Sequence, residues 1–338
     1  MAVSLTRALV LAAAVALTAA MSACSNAGDG SKSGDAGSTV TIRIPDPGNS
    51  GALALGKKDG SLDAALAAVG AKVEWTGTAG PFAPAAQSLD NNQLDVASGS
   101  ITSAIAALAQ KPGFKVFAAV APDNVAEGIL VKDSSGIKSV ADLAGKKVVV
   151  WHGGSSEYLL LQALARNNVP AAAVTRVYLQ PNQSAAVLHS GQVDAWATWS
   201  TYSISERANS GEHFLVNGAD VGSKNYAIWA VRNEFLVQHP AVVKAFYDYL
   251  HAAGLEQQQQ PESAINVFRT AGPDAVDGRE KALTVEYLRA GSPVSAITDA
   301  DKTAFAEVAK FFADQQVTDG VLDLAPHLVD VTALAATR

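Results

Sequence analysis

The feature that most constrains this chain is the run Lys146-Lys147-Val148-Val149-Val150-Trp151-His152-Gly153-Gly154-Ser155-Ser156-Glu157, continued by Tyr158-Leu159-Leu160-Leu161-Gln162-Ala163-Leu164. Three consecutive β-branched valines predict a strand covered on both faces. Gly153 and Gly154 permit a sharp turn and a close backbone approach. Ser155 or Ser156 then caps a helix, and Glu157 complements the positive end of its dipole. Strand, Gly-Ser turn and helix together gather unpaired backbone N–H groups at one point. Such a point favours an anion or an oxygen-rich ligand.

The 338 residues suffice for two domains with real cores, and 49% hydrophobic with 17% charged residues excludes a disordered chain. The formal charge is −7, one unit more negative without the first 23 residues, which hold Arg7 and no acid. Mild acidity without a basic stripe argues against nucleic acid as a partner. Arg7, the apolar run Ala8 to Ala20 and the sequence Met21-Ser22-Ala23-Cys24 resemble a bacterial lipoprotein signal. Residues 1–23 are thus expected to be a signal peptide and Cys24 the lipidated N-terminus, with an ordinary secretory signal as the alternative. Residues 24–38, rich in Gly, Ser and Asp, read as a flexible tether. Cys24 is the one cysteine of the chain, which excludes an internal disulfide and a cysteine-based metal site.

From Thr39 the chain reads as repeated strand-loop-helix units. Strands are expected over Thr39–Ile44, Ala71–Thr76, Leu94–Ala97 and Lys115–Val120, each ending in a loop rich in Gly, Ser or Pro. Such units imply mostly parallel sheets with the loops on one edge, where ligands of open α/β sheets bind. A second α/β unit begins near Pro122 and contains the opening run, Val174–Leu179, helix Gln183–Ser190 and Val193–Trp196. Tyr226–Val231 reads as the return strand. Helices are expected over Pro240–Leu255, Pro261–Thr270, Arg279–Ala290 and Asp299–Gln316.

Several runs carry a family resemblance: Asn92-Gln93-Leu94-Asp95-Val96-Ala97, Gly128-Ile129-Leu130-Val131-Lys132, Ile137 to Val148, Gly154-Ser155-Ser156, Tyr178-Leu179 and Gly191 to Trp199. In order and spacing over roughly residues 39–255 the chain resembles the solute-binding proteins of alkanesulfonate/taurine/nitrate-type ABC transporters. The resemblance implies a type II periplasmic-binding-protein fold, an α/β architecture of two lobes. Each lobe is expected to hold a mostly parallel sheet flanked by helices, and two crossings form the hinge. Lobe I is expected over 39–122 and 226–338, and lobe II over 123–225.

The same resemblance places Gly77, Thr78 and Gly80 in the loop after the second strand, Ser98, Gly99 and Ser100 in the next, and Gly154, Ser155 and Ser156 in the second lobe. These hydroxyls and helix-end N–H groups suit sulfonate, nitrate or carboxylate oxygens, although a Gly-Ser turn also needs such residues merely to turn. Trp196 is assigned to the core and Trp199 to the cleft, with Tyr202 beside it. Where relatives often carry Trp-Asp/Glu-Pro, this chain has Trp199-Ser200-Thr201-Tyr202. The missing carboxylate argues against a ligand amine at that point and so against taurine itself. Glu157 would repel an anion at the same helix end. It acts either as a helix-end charge or as the receiver of a ligand donor group, and it stays among the candidate ligand residues with Lys224 and Asn225.

The six histidines lack metal-ligand spacing, and no hydrolase, zincin or Walker pattern occurs. A desulfinase of this fold class uses a cysteine nucleophile that this chain does not offer. The expectation is a monomeric, non-enzymatic, lipid-anchored binding protein facing outside the cytoplasmic membrane, without cofactor or metal. Its partners would be a small sulfonate-like solute and an ABC permease with its ATPase. Alternatives are an exported lyase-like enzyme on the same scaffold, a surface lipoprotein that senses or adheres, or a binder of nitrate, bicarbonate or a pyrimidine-type heterocycle.

Overall fold

The structure of the protein, a computed structural model, describes residues 39–334 apart from positions 111 and 123. The expected signal peptide, Cys24 and the tether lie outside the described residues.

The chain opens with β1 (Val40–Asp46), α1 (Ala52–Asp59), α2 (Ser61–Ala67) and β2 (Ala71–Thr78). It continues through α3 (Phe82–Asp90), β3 (Val96–Ser100), α4 (Ile101–Leu108) and β4 (Phe114–Val120). After a first crossing come β5 (Glu127–Lys132), β6 (Lys147–Val150), α5 (Ser155–Arg166), β7 (Thr175–Tyr178) and α6 (Pro181–His189). Then follow β8 (Ala195–Trp199), α7 (Ser200–Asn209) and β9 (Glu212–Asn217). The chain crosses back at β10 (Ala227–Arg232) and ends in α8 (Asn233–Gln238), α9 (Pro240–Gln259), α10 (Gly278–Ala290) and α11 (Asp299–Asp314).

The second lobe holds one five-stranded sheet, ordered β7-β6-β8-β5-β9. Its valine strand is built as its composition dictates. Val148 and Val150 face a core shared with Leu160 and Leu164, and Val149 faces Leu188 and Trp196 on the other side. All three valines are fully buried. In the first lobe β1 pairs parallel with β2, and β10 lies between β3 and β4, antiparallel to both.

Most strands of each lobe therefore run the same way, as expected, but the sheets that contain β5 and β10 are mixed or antiparallel at those strands. Strands β6, β7 and β8 run parallel, but β5 runs antiparallel to β8 and β9. The crossings explain this. Each leaves one lobe at the C-terminal edge of its strands and reaches the other lobe at the same kind of edge. The strand that follows a crossing must then run away from that edge, against its neighbours.

Asp95 ties the first lobe together. Its Oδ1 accepts from Arg43 Nη2 and from Arg232 Nη2, each at 2.7 Å, and its Oδ2 accepts from Arg43 Nε at 2.8 Å. Strands β1 and β10 are thus joined across the start of β3. Burial alone would push this carboxyl up, but the hydrogen bonds from Arg43 and Arg232 outweigh it and hold it below the ordinary carboxylate range.

Tyr158 belongs to α5 by sequence but to the first lobe by packing. It sits in the cluster that contains Ile101, Phe305 and Phe312. Its ring meets those of Phe311 and Phe312 edge-on, with centroids 5.5 and 5.9 Å away.

Two expectations change at the periphery. The helix expected over Pro261–Thr270 is only a single turn at Pro261–Ala264. Beyond it the backbone is held by distant partners: Val267 N donates to Asn49 O at 2.9 Å, and Asn49 Oδ1 accepts from Phe268 N at 2.8 Å. Helix α7, not expected, starts at Ser200, whose φ of 51° is unusual for a residue other than glycine. Among the described residues no helix is long and apolar enough to cross a membrane.

Candidate functional site

A cavity of about 350 Å³ lies where strand ends of the two lobes meet. Its wall takes Ser98, Gly99 and Ser100 from the end of β3, Val120 from β4, Trp151 from the loop after β6 and Trp199 from the end of β8. Glu127 and Ala227, which open β5 and β10, complete the wall at the crossings.

The first-lobe jaw is shaped by close packing. A Cβ on Gly99 would lie 2.4 Å from the ring of Phe82, so only glycine leaves room for that ring at the cavity wall. Ser100 caps α4, its Oγ accepting from Ser103 N at 3.2 Å. Polar side chains continue from there. Ser100 Oγ lies 2.8 Å from Thr102 Oγ1, and Thr102 donates to Asn225 Oδ1 at 2.9 Å. Asn225 Nδ2 in turn donates to Glu127 Oε1 at 3.3 Å. The start of α4, the second crossing and the first strand of the second lobe are thus linked in one network.

The second-lobe jaw is held from within. Helix α5 takes Gly154, not a serine, as its N-cap, and the two serines occupy its first turn. Ser156 turns inward and accepts from Trp151 N at 2.7 Å. Glu157 is fully buried and accepts from Gly153 N at 2.7 Å, Tyr178 Oη at 2.7 Å and Arg176 Nη1 at 3.0 Å, and its Oε2 lies 3.1 Å from His152 Nδ1. With its turn fixed in this way, Ser155 remains at the cavity wall. The first turns of α4 and α5 both border the cavity, so two positive helix ends serve one space.

Of the residues singled out in the sequence, Gly80, Ser98, Gly99, Ser100, Ser155, Trp199 and Asn225 line this cavity. The others do not. Gly77 and Thr78 border an adjacent hollow beside β2, which shares Gly80, Pro81 and Ser98 with the cavity. Gly154 is backed against the Trp151 ring, where a Cβ would come within 2.6 Å. Ser156 and Glu157 spend their polar atoms inside the second lobe. Lys224 forms an ion pair with Glu307 on α11. Trp196 is buried in the second-lobe core, while Tyr202 stands edge-on to Trp199 with centroids 5.8 Å apart.

Phe82, Ser103, Asn124, Glu127, Trp151 and Tyr287 also line the cavity and were not expected. Trp151 directly follows the valine strand, and Phe82 follows the Gly-rich loop; that adjacency was the available signal. Glu127 sits ahead of an apolar strand and Tyr287 on a late helix, and neither carries a local mark. Glu127 is the one formal charge among the described lining residues, with its Oε2 3.3 Å from the donating Ser223 hydroxyl. The Oδ1 of Asn124 is buried without a hydrogen-bond partner among the described residues.

The family described as NMT1/THI5 like matches residues 70–264. A protein of Bacillus subtilis (strain 168) bearing the name "Putative aliphatic sulfonates-binding protein" is 28% identical over 312 residues, 92% of each chain. The taurine-binding periplasmic protein of Escherichia coli (strain K12) is 28% identical over 64% of this chain and 69% of its own. Among solved structures, the alkanesulfonate-binding protein SsuA from Xanthomonas axonopodis pv. citri, bound to MOPS, superposes with a TM-score of 0.76. It is 23% identical and covers 86% of this chain and 98% of its own, a likeness of fold. The chain belongs to the NMT1/THI5-like family and has the two-lobed periplasmic-binding-protein fold of the sulfonate-binding proteins it resembles.

Proposed function

We propose that this protein is the substrate-binding lipoprotein of an ABC importer, anchored through Cys24, which captures a small singly charged oxyanion solute, an aliphatic sulfonate above all. The lobes, 39–122 with 226–338 and 123–225, close on the solute as a monomer and present it to the permease. Gly80, Ser98, Gly99, Ser100, Ser155, Trp199 and Asn225 form the ligand wall, extended by Phe82, Ser103, Trp151 and Tyr287. One observation carries this reading: two helix starts and five serines border one cavity in which no described residue is cationic. Sulfonate oxygens are weakly basic and spread one charge over three atoms, so many neutral donors suit them better than a single ammonium. The relatives named as binding proteins support binding over turnover.

A second reading follows from Glu127. A carboxylate acceptor in the wall favours a sulfonate that also carries a hydrogen-bond donor near its head. The test is thermal unfolding of the mature protein with sulfonates, aminosulfonates, sulfate, nitrate, bicarbonate and small carboxylates. A true ligand at a hundredfold excess over its dissociation constant stabilises by about 2.7 kcal/mol. Stabilisation by none of the sulfonates, or turnover of one, would sink the proposal.

A further inference from the structure

Three ionisable side chains converge at the end of the second-lobe sheet that is remote from the cavity. Strand β5 opens at Glu127 in the cavity wall and ends at Lys132, whose partner on β9 is Glu212. Five strand residues, about 17 Å, separate this end from the cavity. Glu212 meets His189, the last residue of α6, and Glu206 of α7. One donor atom from each lies within 4.8 Å of the other two. His189 Nε2 is 2.6 Å from Glu206 Oε2 and 3.5 Å from Glu212 Oε1. Both carboxylates are buried, while the imidazole stands half-exposed beside a hollow that Glu212 also borders.

The cluster holds more acceptors than its neighbours satisfy. Glu212 Oε2 is buried without a hydrogen-bond partner among the described residues, an expensive state for a carboxylate oxygen. Burial, and after it the neighbouring Glu206, push the Glu212 carboxyl above its ordinary value. Lys132, the cation across the strand pair, donates to the His189 carbonyl at 2.7 Å. His213, next along β9, is turned to Asp133, with Nδ1 2.6 Å from its Oδ1.

We propose that His189, Glu206 and Glu212 form a structural site for one divalent transition-metal ion of the zinc class. One imidazole nitrogen and two carboxylate oxygens are donors that zinc takes at about 2.0–2.2 Å, with water as the fourth ligand. A tetrahedron of that size sets its donors about 3.4 Å apart, close to the 3.5 Å between His189 and Glu212. The shorter contact of His189 with Glu206 is a hydrogen bond. Its proton passes to solvent when the ion takes its place, and the pair opens. The imidazole favours zinc, nickel or copper over magnesium or calcium. The ion would tie α6 and α7 to β9, the edge strand of the sheet. No spacing marks the site, because its donors come from three elements and His189 and Glu206 are 17 residues apart. The site stands apart from the solute cavity and does not depend on which solute binds there.

The experiment is a calorimetric titration of the mature protein, stripped with chelator and then freed of it, with zinc ion. Thermal unfolding with and without zinc accompanies it. One ion per chain should bind and raise the melting temperature, and magnesium should bind at least about a hundredfold more weakly. Glu212→Gln keeps the side-chain shape and removes one charge. It should weaken zinc at least about tenfold and abolish the zinc-induced rise in melting temperature. His213→Gln, beside the site but turned to Asp133, should bind zinc as the unaltered protein does. No zinc binding by the unaltered protein at millimolar concentration, or equal affinity for magnesium, would overturn the proposal. Undiminished binding by the Glu212 variant would overturn it too, by placing the ion elsewhere on the chain. Should that variant not fold, His189→Gln, which alters a half-exposed ring, decides by the same criterion.

Discussion

The hydroxyl of Tyr178 donates to Glu157 Oε1 at 2.7 Å, and neither residue lines the cavity. With Gly153 N, Arg176 and His152 engaging the same carboxylate, this contact converts an apparent ligand residue into a clamp on its own loop. Glu157→Gln should cost about 2 kcal/mol of stability while leaving sulfonate affinity unchanged. Denaturant unfolding and ligand titration of the same preparation check this. Lost affinity at unaltered stability would return Glu157 to the binding site.

Asp95 predicts a pH dependence. Its carboxyl is held below its unfolded value of about 3.9 because the bonds from Arg43 and Arg232 outweigh the burial cost. A carboxyl lowered on folding contributes stability above its unfolded pKa, and the contribution is lost as pH falls through the folded value. Asp95→Asn should therefore lower stability by about 3 kcal/mol near neutrality. The difference from the unaltered protein should shrink below about pH 4. Unfolding curves at several pH values would show it, and a difference that stays constant into acid would refute the assignment.

Gly99 predicts a loss of binding from a single methyl group. In Gly99→Ala the new Cβ must displace the Phe82 ring, and the open side available to that ring is the cavity. Overpacking of this kind costs about 1–3 kcal/mol of stability. Sulfonate binding should fall at least tenfold, by about 1.4 kcal/mol or more. Wild-type affinity in a titration of this variant would mean that Phe82 does not shape the site.

Glu127 predicts selectivity. A carboxylate in a wall without a described cation disfavours a doubly charged ligand more than a singly charged one. Glu127→Gln should raise sulfate affinity relative to ethanesulfonate by about tenfold. Competition titration measures that ratio, and an unchanged ratio would show that the carboxylate is too well compensated by Asn225 and Ser223 to discriminate.

The legible part of this molecule is local. Three adjacent valines can hardly be anything but a doubly covered strand, and Ser100 before Ile101-Thr102-Ser103 marks a helix start wherever it sits. What separates Ser155 from Ser156 is not local. Successive residues on a helix point about 100° apart, so one serine reaches the cavity while its neighbour bonds Trp151 N. Lys224 lies between β9 and β10, in the stretch its neighbours mark as a connection. Its direction depends on Glu307, 83 residues further on. Tyr287 reaches the cavity from a late helix, and no residue spacing announces that. The mixed sheets were hidden for a similar reason, since strand direction follows from where the crossings land.

The position of Tyr158 bears on how the molecule comes apart. Its ring, carried by a helix of one lobe, occupies the interior of the other beside Phe311 and Phe312. Unravelling α5 would leave a hole in the first lobe, and loosening α11 would strip the second of an anchor. The lobes thus melt as partners, and calorimetry should record one cooperative transition for both lobes.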